Sequence, residues 1–157
     1  MGADSARSGT DFNPTTELNI SEDILVDMHA HASSTYPEEC CGLLLGKVRG
    51  PTKTATESRR MGNVFVKEER YHRYTIDPKE FLNAESDAEA RGLEVVGIYH
   101  SHPNAPAKPS RFDTDYGWPT LSYVVIEERD ARPVETNSWI LKDDRSEFVQ
   151  EKLAISK

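Results

Sequence analysis

Three short apolar runs constrain this chain more than any other feature: CCGLLLG (Cys40–Gly46), LEVVGIY (Leu93–Tyr99) and LSYVVIE (Leu121–Glu127). Each is too short to stand as a core helix, so each reads as a buried strand. NSWIL (Asn137–Leu141) reads as a further strand, and weaker patterns predict a pair over Lys53–Arg60 and Arg70–Ile76. Helices are marked between them. Ser21 is a good N-cap, Ile20 and Leu25 are placed for a hydrophobic staple, and Ile24, Leu25, Met28 and Ala32 share one face before Pro37 stops the helix. A second helix follows Asp77 as N-cap, with Pro78 at its first position, Glu80 placed for a capping box and Gly92 as the stop. Phe81, Leu82, Ala84 and Ala88 would face the core. Strands and helices alternate without internal repeats, which predicts an α/β (α+β) fold, a curved mixed β-sheet with helices packed against it.

Size and charge narrow the function classes. A chain of 157 residues suits one domain. Residues 1–17, rich in Ser, Thr, Gly, Asp and Asn, read as a flexible leader, leaving residues 18–157 as the domain. No apolar run approaches the ~18 to 20 residues needed to cross a bilayer, and MGADSARSGTDF lacks a secretory hydrophobic core, so the cytoplasm is the expected compartment. The balance of 19 basic and 27 acidic residues, with the basic ones scattered, argues against nucleic acid as a partner. Cys40 and Cys41 are neighbours inside an apolar run, where they read as core residues rather than as a disulfide.

The chemistry gathers after LEVVGIY. His100 and His102 lie two residues apart, so on an extended backbone both side chains take one face, the face expected to hold Val96 and Ile98. Pro103 ends the strand, and the NAPAKP loop can turn back to present Ser110 and Asp113. Two imidazoles and one carboxylate form a donor set suited to zinc, and three protein ligands leave a position open for a catalytic water. Such a site needs a base that is not itself a ligand. Glu38 and Glu39, at the edge of the CCGLLLG strand, are the candidates, and spacing alone does not choose between them.

PEECCGLLLG followed by HSHPNAPAKPSRFD resembles the JAMM, or MPN-plus, metallopeptidases, whose pattern is an upstream Glu and then HxHP(x)6SxxD. The resemblance implies an MPN/JAB-like curved sheet sandwiched by helices, with zinc held by His100, His102 and Asp113. It further implies Glu39 as the catalytic glutamate and Ser110 as the residue that steadies the oxyanion. Hydrolysis of a peptide or isopeptide bond would follow. The compact length resembles prokaryotic members that act on ubiquitin-like or sulfur-carrier proteins, after a C-terminal Gly-Gly.

Plainer readings stand beside these. Ser110 and Asp113 form an SxxD pattern that can cap a short helix over RFDTDYGW, and a capping hydroxyl is also fixed as an oxyanion donor must be. Asp115 reads as an outer or surface carboxylate. His29, His31 and His72 read as surface residues; His29 and His31 also have HxH spacing, but on a helix they diverge by ~200°. Trp118, Tyr123 and Trp139 read as core or site walls. Two other functions fit parts of the pattern: a non-catalytic MPN-type interaction scaffold, and a non-haem iron oxygenase built on a two-histidine, one-carboxylate triad.

Overall fold

The computed structural model describes residues 12–157, and of residues 12–15 the backbone only. Seven strands, β1 (Phe12–Ser21), β2 (Cys41–Arg49), β3 (Thr52–Met61), β4 (Glu94–Pro103), β5 (Ser122–Arg129), β6 (Arg132–Leu141) and β7 (Phe148–Ser156), form one sheet in the order β1-β3-β2-β4-β5-β6-β7. The sheet closes on itself, because β1 pairs in parallel with both β3 and β7. β4 and β5 are also parallel and the remaining pairs are antiparallel, so the sheet is mixed as expected. Among the described residues there are also three helices, α1 (Glu22–Thr35), α2 (Pro78–Ala90) and α3 (Arg111–Tyr116), and a 3-10 turn at Lys67–Glu69.

The alternation of side chains along the central strands builds two cores, one on each face. Leu44, Val96, Tyr99, Val124 and Ile126 pack with Ile24, Met28 and Ala32 of α1. Leu43, Leu45, Val95, Ile98, Tyr123 and Val125 pack with Ala84 and Ala88 of α2. Each large side chain buried this way contributes roughly 1.5–3 kcal/mol, so the two helices are held chiefly by the faces they cover. The helix signals act locally: the Ser21 hydroxyl accepts from the Ile24 N–H, the Asp77 carboxylate accepts from the Lys79 N–H, and Gly92 takes φ +76° after α2.

Several expectations need correction. The strand predicted over Arg70–Ile76 is a loop, whose backbone is held from outside any ladder. The Asn63 side-chain amide donates to the Arg73 carbonyl and its oxygen accepts from the Thr75 N–H, while the Arg70 carbonyl accepts from the Glu39 N–H. The leader expected through residue 17 overlaps β1, which starts at Phe12; Leu18 and Ile20 are buried, and residues 1–11 lie outside the described residues. Leu82, expected in the core, is 59% exposed at the rim of a groove, and Trp118 is 61% exposed there too, whereas Tyr123 and Trp139 are buried. Val96 does not share a face with Ile98. The β2–β4 register shifts between Leu44, opposite Gly97, and Leu45, opposite Val95, so a bulge at Val96 reverses the alternation and turns it to the α1 side.

Candidate metal centre

β4 carries both histidines. Beyond the bulge the alternation is regular from Ile98 to His102, so His100 and His102 project together from the strand end, and both lie inside the strand rather than after it. Asp113 arrives from α3. Ser110 caps that helix, its hydroxyl accepting from the Asp113 N–H at 3.1 Å while the Asp113 carboxylate accepts from the Ser110 N–H at 2.8 Å. The cap and the site therefore coexist: the same reciprocal bonds that start the helix hold the Asp113 carboxylate in place.

The three donor atoms converge. His100 Nε2 lies 3.1 Å from His102 Nε2 and 3.2 Å from Asp113 Oδ2, and His102 Nε2 lies 3.3 Å from that same oxygen. All three residues are buried. His102 Nδ1 is 2.8 Å from the Pro106 carbonyl, which can only accept, so the ring proton sits on Nδ1 and the Nε2 lone pair is turned to the common point. That orientation and the nitrogen–nitrogen–oxygen donor set fit a zinc ion. Burial pushes the His100 imidazole below its ordinary pKa against the pull of Asp113. Burial acts the same way on His102, but the Asp113 hydrogen bond and the Glu39 and Asp113 charges overcome it and lift that ring. Asp113, despite burial, is held well below the usual carboxylate range by the two imidazoles.

Glu39 is the buried member of the glutamate pair, 4% exposed, while Glu38 is half-buried, its backbone N–H donating to the Thr35 carbonyl at the helix end. β2 pairs Cys41 with His100, and the ladder is extended one residue by the Ser101 N–H to the Cys40 carbonyl and the Cys40 N–H to the Ser101 hydroxyl at 2.8 Å. That register brings Glu39 to the His102 end of β4. Burial raises its carboxyl to about 8, opposed by the His102 charge, reinforced by Asp113 and opposed again by Arg73. Cys40 and Cys41 are buried free thiols, Cys40 pushed up by burial to about 12.

Three contributors escape a reading of motifs. Tyr74 stacks on His100 with ring centroids 4.6 Å apart. The Pro106 carbonyl orients His102. Ser101 ties β4 to the segment that carries Glu39 into β2. Only Ser101 had a signal, its place between two histidines on an alternating strand. The other histidines stay apart from the centre. His29 Nε2 meets the Thr136 hydroxyl at 2.8 Å, and His72 is an exposed residue near Glu69. His31, expected at the surface, is buried, with Nδ1 2.7 Å from the Tyr99 hydroxyl. Asp115 is exposed and faces Arg111 at 3.8 Å.

Beside Asp113 opens a groove of about 1040 Å³ between α2, α3 and the loop before α2, walled by Phe65, Ile76, Phe81, Phe112, Trp118 and Leu121.

The family model described as prokaryotic homologs of the JAB domain matches residues 21–142, a span that contains Glu39, both histidines and Asp113. The chain belongs to this family. Among JAB relatives, a protein named desampylase from Pyrococcus furiosus is 33% identical over 112 residues, covering 70% of this chain and 71% of its own length. A protein named CysO-cysteine peptidase from Mycobacterium bovis is 31% identical over 127 residues, 80% of this chain and 84% of its own. A solution structure of a protein from Desulfitobacterium hafniense superposes with a TM-score of 0.77 at 29% identity, covering 89% of this chain and 93% of the other. A JAB1/MPN domain protein from Archaeoglobus fulgidus shares the fold, with a TM-score of 0.57 at 17% identity over 88% of this chain and 99% of the other.

Proposed function

We propose that this JAB protein is a zinc-dependent isopeptidase or peptidase that hydrolyses the bond after the C-terminal Gly-Gly of a ubiquitin-like or sulfur-carrier protein in the cytoplasm. The observation that carries the reading is the meeting of three buried donor atoms beside a buried glutamate, in a chain whose relatives are named desampylase and CysO-cysteine peptidase. No helix among the described residues is long and apolar enough to cross a membrane.

His100 Nε2, His102 Nε2 and Asp113 Oδ2 would hold the ion. When bound, zinc supplies a Lewis acid that lowers the pKa of water and polarises a carbonyl. Glu39 takes a proton from the attacking water and returns it to the departing amine nitrogen; a carboxyl whose proton affinity burial has raised suits both transfers. The water oxygen joins the acyl carbon as the C–N bond breaks, so no residue forms a covalent link to substrate. Ser110 Oγ accepts from the Asp113 N–H, which fixes the hydroxyl and leaves its own hydrogen for the substrate carbonyl oxygen. The apolar groove of about 1040 Å³ beside Asp113 would receive the tail.

Incubation with ubiquitin-like and sulfur-carrier fusions extended beyond Gly-Gly, followed by mass analysis, tests the reading. Cleavage after the second glycine that chelator abolishes is expected. A protein that is purified without zinc and leaves every fusion intact is instead the metal-free interaction scaffold.

A further inference from the structure

The loop that replaces the expected strand at residues 70–76 places one cation at the mouth of the site. Arg73 is fixed from three sides. Its guanidinium lies over the Phe112 ring, 4.3 Å from the centroid, and Phe112 is the neighbour of Asp113. Tyr74, the next residue, stacks on His100. The Arg73 carbonyl accepts from the Asn63 amide at 3.0 Å, and the same amide donates to the Glu39 carbonyl at 3.1 Å. Arg73 is thus tied to the residues that carry the glutamate, a histidine and the aspartate of the centre, and its charge reaches Glu39. Among the described residues its carboxylate partner is Glu69, 3.6 Å away and half exposed, a contact too solvated to satisfy five donors. Arg73 is absent from the walls of the apolar groove, although its ring partner Phe112 is one of them. With the carrier's tail laid in that groove, as in the proposed reading, the cation is left for the other side of the scissile bond.

Building on the proposed hydrolase reading, we infer that Arg73 receives the carboxylate of the leaving group, so that the favoured substrate carries a free α-amino acid, or a peptide C-terminus one residue beyond Gly-Gly, rather than a lysine side chain of a folded protein. An α-amino acid leaving group places its carboxylate one carbon from the departing nitrogen. A planar guanidinium can meet it with two parallel bonds while the nitrogen takes its proton from Glu39. In a lysine isopeptide the nitrogen sits at the end of a four-carbon stem with no anion near it, and Arg73 has nothing to hold.

The test uses the zinc-loaded full chain and three versions of one carrier ending in Gly-Gly: extended by a single amino acid with a free carboxylate, by the same amino acid as its carboxamide, and by an isopeptide bond to the Nε of a lysine peptide. The carboxylate version should show the highest kcat/KM. Arg73→Gln should lower it about 10- to 100-fold while changing the carboxamide version less than about 3-fold, and Arg73→Lys should restore part of the difference. A second readout does not depend on turnover. Calorimetric binding of the uncleaved carriers to Glu39→Gln should favour carboxylate over carboxamide, and adding Arg73→Gln should remove that preference. Equal losses on carboxylate and carboxamide would make Arg73 a merely structural residue and overturn the inference, as would a wild-type preference for the isopeptide. If no carrier is cleaved, the hydrolase reading falls, and the binding comparison still decides whether Arg73 selects a carboxylate.

Discussion

The chain contains two histidine pairs with the same spacing, His29 with His31 and His100 with His102, and they end in opposite arrangements. On α1 two residues turn by ~200°, so His29 reaches Thr136 on β6 while His31 is buried against Tyr99. On β4 two residues repeat the same direction, and the two Nε2 atoms stand 3.1 Å apart with Asp113 Oδ2 beside both. Identical spelling gives a structural brace on a helix and a metal-type donor cluster on a strand. The meaning of HxH lies in the backbone period beneath it.

Replacement of the strand pair should have the largest effect. His100→Ala and His102→Ala should each abolish zinc retention and cut turnover by more than about 10³-fold, as removal of a metal ligand does, whereas His29→Ala and His31→Ala should keep full zinc stoichiometry by metal analysis. Zinc loss in either helix variant would erase the contrast. Next comes Glu39→Gln, which should keep zinc but lower kcat about 10²- to 10⁴-fold, the range for a general base. Retained kcat would move the proton transfers to another group.

His31→Leu should act on stability alone. It strands the Tyr99 hydroxyl in the core and should cost about 1–3 kcal/mol in denaturant unfolding, and pairing it with Tyr99→Phe should recover part of that loss. Gly42 shows how closely this brace is packed, since a Cβ there would lie 2.3 Å from the Tyr99 ring. Ser101→Ala should cost a similar or smaller amount by leaving the Cys40 N–H without its acceptor, and should also lower kcat because Glu39 follows Cys40 out of register.

The last expected effect is a pH dependence of the metal-free protein. The folded state raises Glu39 from its ordinary value near 4.5 to about 8, so it favours the neutral acid. The contribution of that preference to stability is complete below pH 4.5 and is lost as pH rises through about 8. Glu39→Gln, which has no charge to bury, should therefore gain stability relative to wild type across that window, by more than about 1 kcal/mol at pH 8. A constant difference from pH 4 to 8 would mean that Glu39 is not desolvated in solution.

Much of this was legible in the sequence, and the misses share a physical cause. β2, β4, β5 and the inner end of β6 carry apolar runs, and the caps at Ser21, Asp77 and Ser110 act through local bonds, so nearest neighbours suffice to place them. The HxH and SxxD spacings then converge because the strand period and the helix cap are local rules too. β1 and β7 had no such signal. Phe12–Ser21 is mostly polar, and FVQEKLAIS alternates around Glu151, a carboxylate only 2% exposed whose oxygen accepts from Ser138 across the β6–β7 pair. Their strand state comes from closing the sheet, a contact between chain ends. The loop at 70–76 departs from its sequence pattern for the converse reason. Its apolar and β-branched residues suit a strand, but Asn63 satisfies its backbone and Tyr74 spends its ring on His100. Val96 lies on the face opposite to the one strict alternation predicts, because a one-residue bulge leaves no mark on composition.

Calorimetric titration of zinc into metal-free protein, run for the wild type and for Asp113→Ala, tests the common donor point most directly. One ion per chain bound tightly by the wild type, with affinity lost in Asp113→Ala and proton release consistent with the lifted His102, is the predicted result. Undiminished binding in Asp113→Ala, or no binding by the wild type, would contradict it.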